Sequence, residues 1–178
     1  MFSYIAAALW FFLPAGLANA TPVLASKLPI IKHWRAPLDG GKSYRGRRLL
    51  GDNKTIRGLV FGVVVAAGVA ALLHAIGQAP HLRSLSLSQS LLAGALLGLG
   101  ALIGDALESF FKRQRGVEPG SGWFPFDQLD YIAGGLLFSY PLVHPSWQVI
   151  AAVVVTWFGI HLLTVFVGYH LGVRDKPI

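Results

Sequence analysis

Five apolar stretches alternate with short polar segments along the chain, at residues 2–26, 59–76, 87–107, 127–143 and 147–171. A helix that crosses a bilayer needs roughly 20 consecutive apolar residues, and these stretches meet or approach that length. The first contains Pro14, Asn19 and Pro22, which predicts a kinked helix with one polar side chain at membrane depth. Asn19 can bridge helices or line a site. The third carries Gly94, Gly98 and Gly104 among Ala93, Ala95 and Ala101, and the fourth carries Gly134 and Gly135. Small residues of this kind let helix backbones approach closely. His144-Pro145-Ser146 reads as a tight turn into the fifth stretch. Trp147 and Tyr169 sit at the ends of that stretch as interfacial anchors, and His161 inside it suits a bridge between helices. The pattern predicts an all-α integral membrane protein: one domain, residues 1–178, with five transmembrane helices and two functional cytoplasmic loops. No internal repeat is visible, which disfavours an inverted-repeat transporter.

Composition agrees with a membrane class. The chain is 54% hydrophobic and 13% charged, where soluble domains carry about 25% charged residues. Cysteine is absent, so disulfides and thiolate metal sites are excluded. The net charge of +7 is unevenly placed: nine of the fifteen Lys and Arg lie between Lys27 and Arg57. Arg83 alone lies between the second and third spans, Lys112, Arg113 and Arg115 follow the third, and Arg174 and Lys176 are in the tail. The positive-inside rule then sets the N-terminus outside and both basic loops in the cytoplasm, at a cell membrane. No separate basic domain exists to bind nucleic acid. Ala18-Asn19-Ala20 resembles a signal-peptidase site, but no Lys or Arg precedes the apolar region, which argues against cleavage. His74 and His81 flank a proline turn and read as interfacial rather than metal-binding.

The acidic residues change the picture most. Five of the eight fall within the 26 positions from Asp105 to Asp130. Asp105 and Glu108 are i, i+3 at the end of one predicted helix, with Ser109 and Lys112 continuing that face. Asp127 and Asp130 are i, i+3 at the start of the next. Oxygen ligands converging from two helix ends suit a hard cation such as Mg²⁺, and Lys112, Arg113 and Arg115 beside them suit a phosphate. Capping acids of an ordinary juxtamembrane loop are the plain alternative, but such acids rarely bracket a loop from both sides. The basic segment, punctuated by Pro and Gly, reads as a loop with a short interfacial helix. It ends in Asn53-Lys54-Thr55-Ile56-Arg57-Gly58, small and polar residues opening a helix beside two cations, an arrangement that can wrap an anion. A basic loop and an acid cluster on one membrane face fit a nucleoside triphosphate with Mg²⁺.

Three segments in order resemble a known family. Pro14 to Asn19, Asn53 to Gly58, and the run from Ser109-Phe110-Phe111-Lys112-Arg113 through Pro119-Gly120 to Asp127-Gln128-Leu129-Asp130 are similar to CDP-archaeol synthases, compact relatives of the bacterial CDP-diacylglycerol synthases. Against the bacterial enzymes, Gln128 stands where they have Arg, the gap from Ser to the last Asp is shorter, and a His-Gly-Gly motif is missing. The resemblance implies a CTP-dependent cytidylyltransferase that makes CDP-archaeol and pyrophosphate from CTP and unsaturated archaetidic acid, with Mg²⁺. It implies that Asp105, Asp127 and Asp130, with Glu108 as a further candidate, hold the metal. It implies that Lys54, Arg57, Lys112 and Arg113 neutralise phosphates, and that Asn53, Thr55, Ser109 and Asn19 contact substrate. Two other classes fit the composition. A small ion or proton transporter could use the same carboxylates, but leaves the basic loop on their side unexplained. A structural protein with lipid-binding loops leaves Asp127 and Asp130 unexplained.

Overall fold

The computed structural model describes residues 2–31, 33–118 and 121–172. The Pro119-Gly120 part of the motif and the tail residues Arg174, Asp175 and Lys176 lie outside the described residues. The elements are α1 (Phe2–Lys27), β1 (Ser43–Tyr44), β2 (Arg47–Arg48), α2 (Ile56–Ala75), α3 (Pro80–Arg83), α4 (Leu87–Gln114), α5 (Phe126–Val143) and α6 (Trp147–His170). Four of the five predicted spans, α1, α2, α4 and α6, are long and apolar enough to cross a membrane. The other, α5, is an 18-residue helix with Asp127 in its first turn. α4 runs 28 residues, so the predicted third span continues as helix through Glu108 and Lys112. That extension keeps Asp105, Glu108 and Lys112 on one continuous helical face.

α1 lies at the centre. Phe11, Phe12 and Ala15 are fully buried against Leu97 and Ala101 of α4, Tyr131 and Ile132 of α5, and Val149, Val153 and Trp157 of α6. Trp157 Nε1 donates to the Ala8 carbonyl at 3.1 Å, and Tyr131 Oη donates to the Trp157 carbonyl at 3.0 Å. Without water in a bilayer core, such polar groups need internal partners, and these bonds tie α6 to α1 and α5. His161 packs its ring on Tyr131, with centroids 5.6 Å apart. At the far end, His74 Nδ1 lies 3.1 Å from Ser90 Oγ, and His81 packs against Phe11.

Glycine sets the α4–α5 spacing. A Cβ on Gly104 would lie 2.2 Å from the Asp130 carbonyl oxygen, and one on Gly134 would lie 2.1 Å from the Gly100 carbonyl oxygen. Only hydrogen fits between the two backbones there. The glycine seam runs directly beside Asp105 and Asp130, so the packing that joins the helices also brings their carboxylates together.

Among the described residues between Lys27 and Arg57, the expected interfacial helix is not found. A β-hairpin stands there instead, pairing Ser43 with Arg48 and Tyr44 with Arg47. Its two-residue turn, Arg45-Gly46, has φ of 51° and 77°, the left-handed pair that matches strand twist in tight hairpins. Glycines in this segment end any helical run before it can nucleate. The hairpin docks on the end of α4, where an Arg47 guanidinium nitrogen donates to the Gln114 carbonyl.

Candidate active site

The end of α1, the starts of α2 and α5 and the end of α4 meet at one pole of the bundle, and the predicted residues gather there unevenly. Thr55 caps α2: its Oγ accepts the Gly58 N–H at 3.1 Å, the usual task of a threonine at this position. Lys54, one residue earlier, reaches across to α4, with Nζ 2.5 Å from Asp105 Oδ2. Pro22, Leu38, Leu102 and Thr55 line a small pocket around this pair. Asn19 is half-buried on α1, three residues before Pro22.

Two turns further along α4, buried Lys112 pairs with Glu108 at 3.1 Å and with Asp127 on α5. The second oxygen of Asp127 accepts the Trp123 N–H at 2.7 Å, which fixes the loop entering α5. Asp130 Oδ1 accepts the Tyr131 N–H at 2.5 Å. The Asp130 backbone packs against Gly104, the residue before Asp105, at a close approach of α4 and α5. Four carboxylates and two ammonium groups therefore form one interacting cluster, drawn from α4, α5 and the residue before α2. Charged side chains at membrane depth are kept only when paired, and they mark function. Ser109 is buried alongside Glu108.

Other candidates lie at the margin. Arg57 is buried, and its Nη1 donates to the Ile31 carbonyl at 3.0 Å, pinning the segment that follows α1. Arg113 Nη2 donates to the Glu118 carbonyl at 3.2 Å, and Asn53 is exposed. Among the described residues, no three His, Asp or Glu side chains converge as a ready metal cluster. The donor chemistry nevertheless fits a hard cation, since every candidate ligand is a carboxylate. In this arrangement Lys54 and Lys112 supply the positive charge against three of them. Asp39 was not among the predicted site residues, although it accepts four hydrogen bonds at the root of the basic hairpin. A lone acid among glycines and cations was the available signal.

Apolar helices that carry a paired charge cluster at one pole define a multi-pass membrane protein with a polar site at one end of its bundle. The chain belongs to the CDP-archaeol synthase family, whose CarS-like family description matches residues 1–178. It is 39% identical over 172 residues to a CDP-archaeol synthase of Thermococcus onnurineus, covering 96% of this chain and 95% of that one. It is 38% identical over 176 residues to one of Thermofilum pendens, covering 97% and 81%. A solved structure described as an intramembrane enzyme for archaeal membrane lipids biosynthesis superposes with a TM-score of 0.72 at 34% identity, covering 88% of this chain and 91% of the other.

Proposed function

We propose that the charged pole of the bundle transfers CMP from CTP to the phosphate of unsaturated archaetidic acid (digeranylgeranylglyceryl phosphate), giving CDP-archaeol and pyrophosphate. The observation that carries this reading is the cluster itself, in which Asp105, Glu108, Asp127 and Asp130 share one pole with Lys54 and Lys112 beside a folded basic hairpin. A lipid phosphate oxygen attacks the α-phosphorus, the bond from that phosphorus to the bridging oxygen breaks, and pyrophosphate leaves. The nucleophile is already anionic, so the site needs position and charge more than a strong base. Asp105, Asp127 and Asp130, with Glu108, are the residues that would hold Mg²⁺, which when bound offsets charge on the triphosphate. Lys54 and Lys112 release their carboxylates and pair with phosphate oxygens. Arg57 and Arg113 add positive potential at the rim, and Asn53, Thr55, Ser109 and Asn19 are polar contacts for nucleotide or lipid. The isoprenoid chains lie along apolar helix faces and enter from the bilayer.

In this reading α5 is the remaining span, for five in all, and the reactive pole faces the cytoplasm. Two measurements test it. Purified protein should release pyrophosphate only when CTP, Mg²⁺ and an ether-lipid phosphate are all present. Ion flux in liposomes without nucleotide, with no pyrophosphate when all three are supplied, would turn the assignment to a transporter. For orientation, the chain has no cysteine of its own, so Lys42→Cys and Gln78→Cys are clean single reporters. Both positions are exposed, on the hairpin side and on the α2–α3 turn respectively. In sealed cells an impermeant thiol reagent should label position 78 and spare position 42; the reverse pattern overturns the cytoplasmic assignment.

A further inference from the structure

We infer that Asp39 is a positioning residue for the cytidylyl transfer, holding Lys54 where it meets the reacting phosphates. The inference rests on the function proposed above. Asp39 lies far from the acid cluster in sequence, and its side chain is 1% exposed. Its Oδ1 accepts the Gly41 N–H at 2.9 Å and Arg48 Nη2 at 3.0 Å. Its Oδ2 accepts the Leu50 N–H at 3.0 Å and the Gly51 N–H at 3.4 Å. One carboxylate thus closes the root of the hairpin from both strands. Burial pushes its carboxyl up, but the Leu50 N–H, Arg48 and the two glycine N–H groups outweigh burial and hold it at about 2. It stays ionised, and the clamp stays made, throughout the working pH range.

The clamp continues to Lys54. The Leu38 N–H, one residue before Asp39, donates to the Lys54 carbonyl at 2.7 Å, and the Ile56 N–H donates to the Ala36 carbonyl at 3.0 Å. The Lys54 N–H in turn donates to the carbonyl of Gly51, which Asp39 holds. The backbone of Lys54 is therefore bonded on both sides, its carbonyl by Leu38, next to Asp39, and its N–H by Gly51, whose own N–H the Asp39 carboxylate accepts. From that fixed point Nζ reaches Asp105. Without the clamp, the lysine would sit on a glycine-rich loop and spend its charge over many positions.

Asp39 is separable from bundle stability. Among the described residues, the buried apolar clusters contain none between Leu28 and Thr55, so a loosened hairpin leaves the helix core intact. The test is a double-mutant cycle on purified protein. Lys54→Ala should raise the KM for CTP about tenfold, the scale of one charge-assisted hydrogen bond. Asp39→Asn keeps the shape but replaces an acceptor oxygen with a donor facing donors, and should reproduce most of that defect with an unchanged thermal midpoint. The double variant Asp39→Asn/Lys54→Ala should be no worse than Lys54→Ala, because residues acting as one unit are not additive. Arg48→Met, which removes one of the four bonds, should give a smaller defect in the same direction and serves where Asp39→Asn is poorly produced. Additive losses in the double variant, or an unchanged KM in both Asp39→Asn and Arg48→Met, overturn the inference while leaving the cytidylyl transfer standing. A wild-type protein without CTP turnover removes the function on which the inference rests.

Discussion

Asp105→Asn, Asp127→Asn and Asp130→Asn each lose CTP-dependent pyrophosphate release by at least about a hundredfold, close to 3 kcal/mol of barrier, while remaining folded in detergent. Asparagine keeps the shape and one acceptor oxygen but removes the anion that a hard cation requires. Folding should survive because each orphaned lysine has somewhere to go. The Lys54 side chain is 20% exposed and can turn its ammonium outward when Asp105 is neutral. Lys112 is bridged by two carboxylates, so loss of Asp127 leaves Glu108 in place. That redundancy also ranks the cluster. Glu108→Gln leaves the Lys112–Asp127 contact across the helices intact, and its loss of activity should be the smallest of the four. The check is turnover with labelled CTP across a Mg²⁺ titration, beside the thermal midpoint of each variant. Near-normal Mg²⁺-dependent activity in all three Asp variants would remove the carboxylates from the proposed mechanism.

Most of the architecture was legible because hydrophobic period and length are local properties. The helices α1, α2, α5 and α6 begin and end within a few residues of the stretches read from the chain, and α4 runs on from 107 to Gln114. That extension could be anticipated from Asp105, Glu108 and Lys112 keeping helical spacing past the apolar run. The pairing within the site was less legible. Lys54 and Asp105 are 51 residues apart, and nothing in either neighbourhood specifies the other. Their meeting depends on the antiparallel packing of α2 on α4 and on the fold of the basic segment. From sequence that segment reads as a loop with a short helix, because its cations and glycines lack any period. The hairpin follows from left-handed turn residues and a single buried carboxylate, which is a tertiary feature. Arg57 shows the same limit: its place at a helix start gives no sign that its Nη1 donates to the Ile31 carbonyl, 26 residues away.

Gly134→Ala lowers the thermal midpoint by roughly 5–10 °C, on the scale of overpacking a tight interface in a chain of this size, and lowers activity with it. The sign is informative. Alanine is the better helix former by about 1 kcal/mol, so a glycine kept only by chance would be improved by the change. At Gly134 the added methyl would lie 2.1 Å from the Gly100 carbonyl oxygen and 2.9 Å from its carbon. Both are backbone atoms within a helix, so no side chain can swing aside and the helices must separate. Asp127 and Asp130 travel with α5, while Lys112, Glu108 and Asp105 stay with α4. A separation of even 1 Å or so is expected to be costly where reacting groups must be held in register. Gly159 on α6 is the matched control, since a Cβ there meets nothing within 4 Å. Gly159→Ala should leave turnover unchanged and raise the midpoint by about 2–4 °C, the helix-propensity gain alone. If Gly134→Ala is as stable and as active as Gly159→Ala, the glycine seam does not set the distance between the carboxylates of α4 and α5.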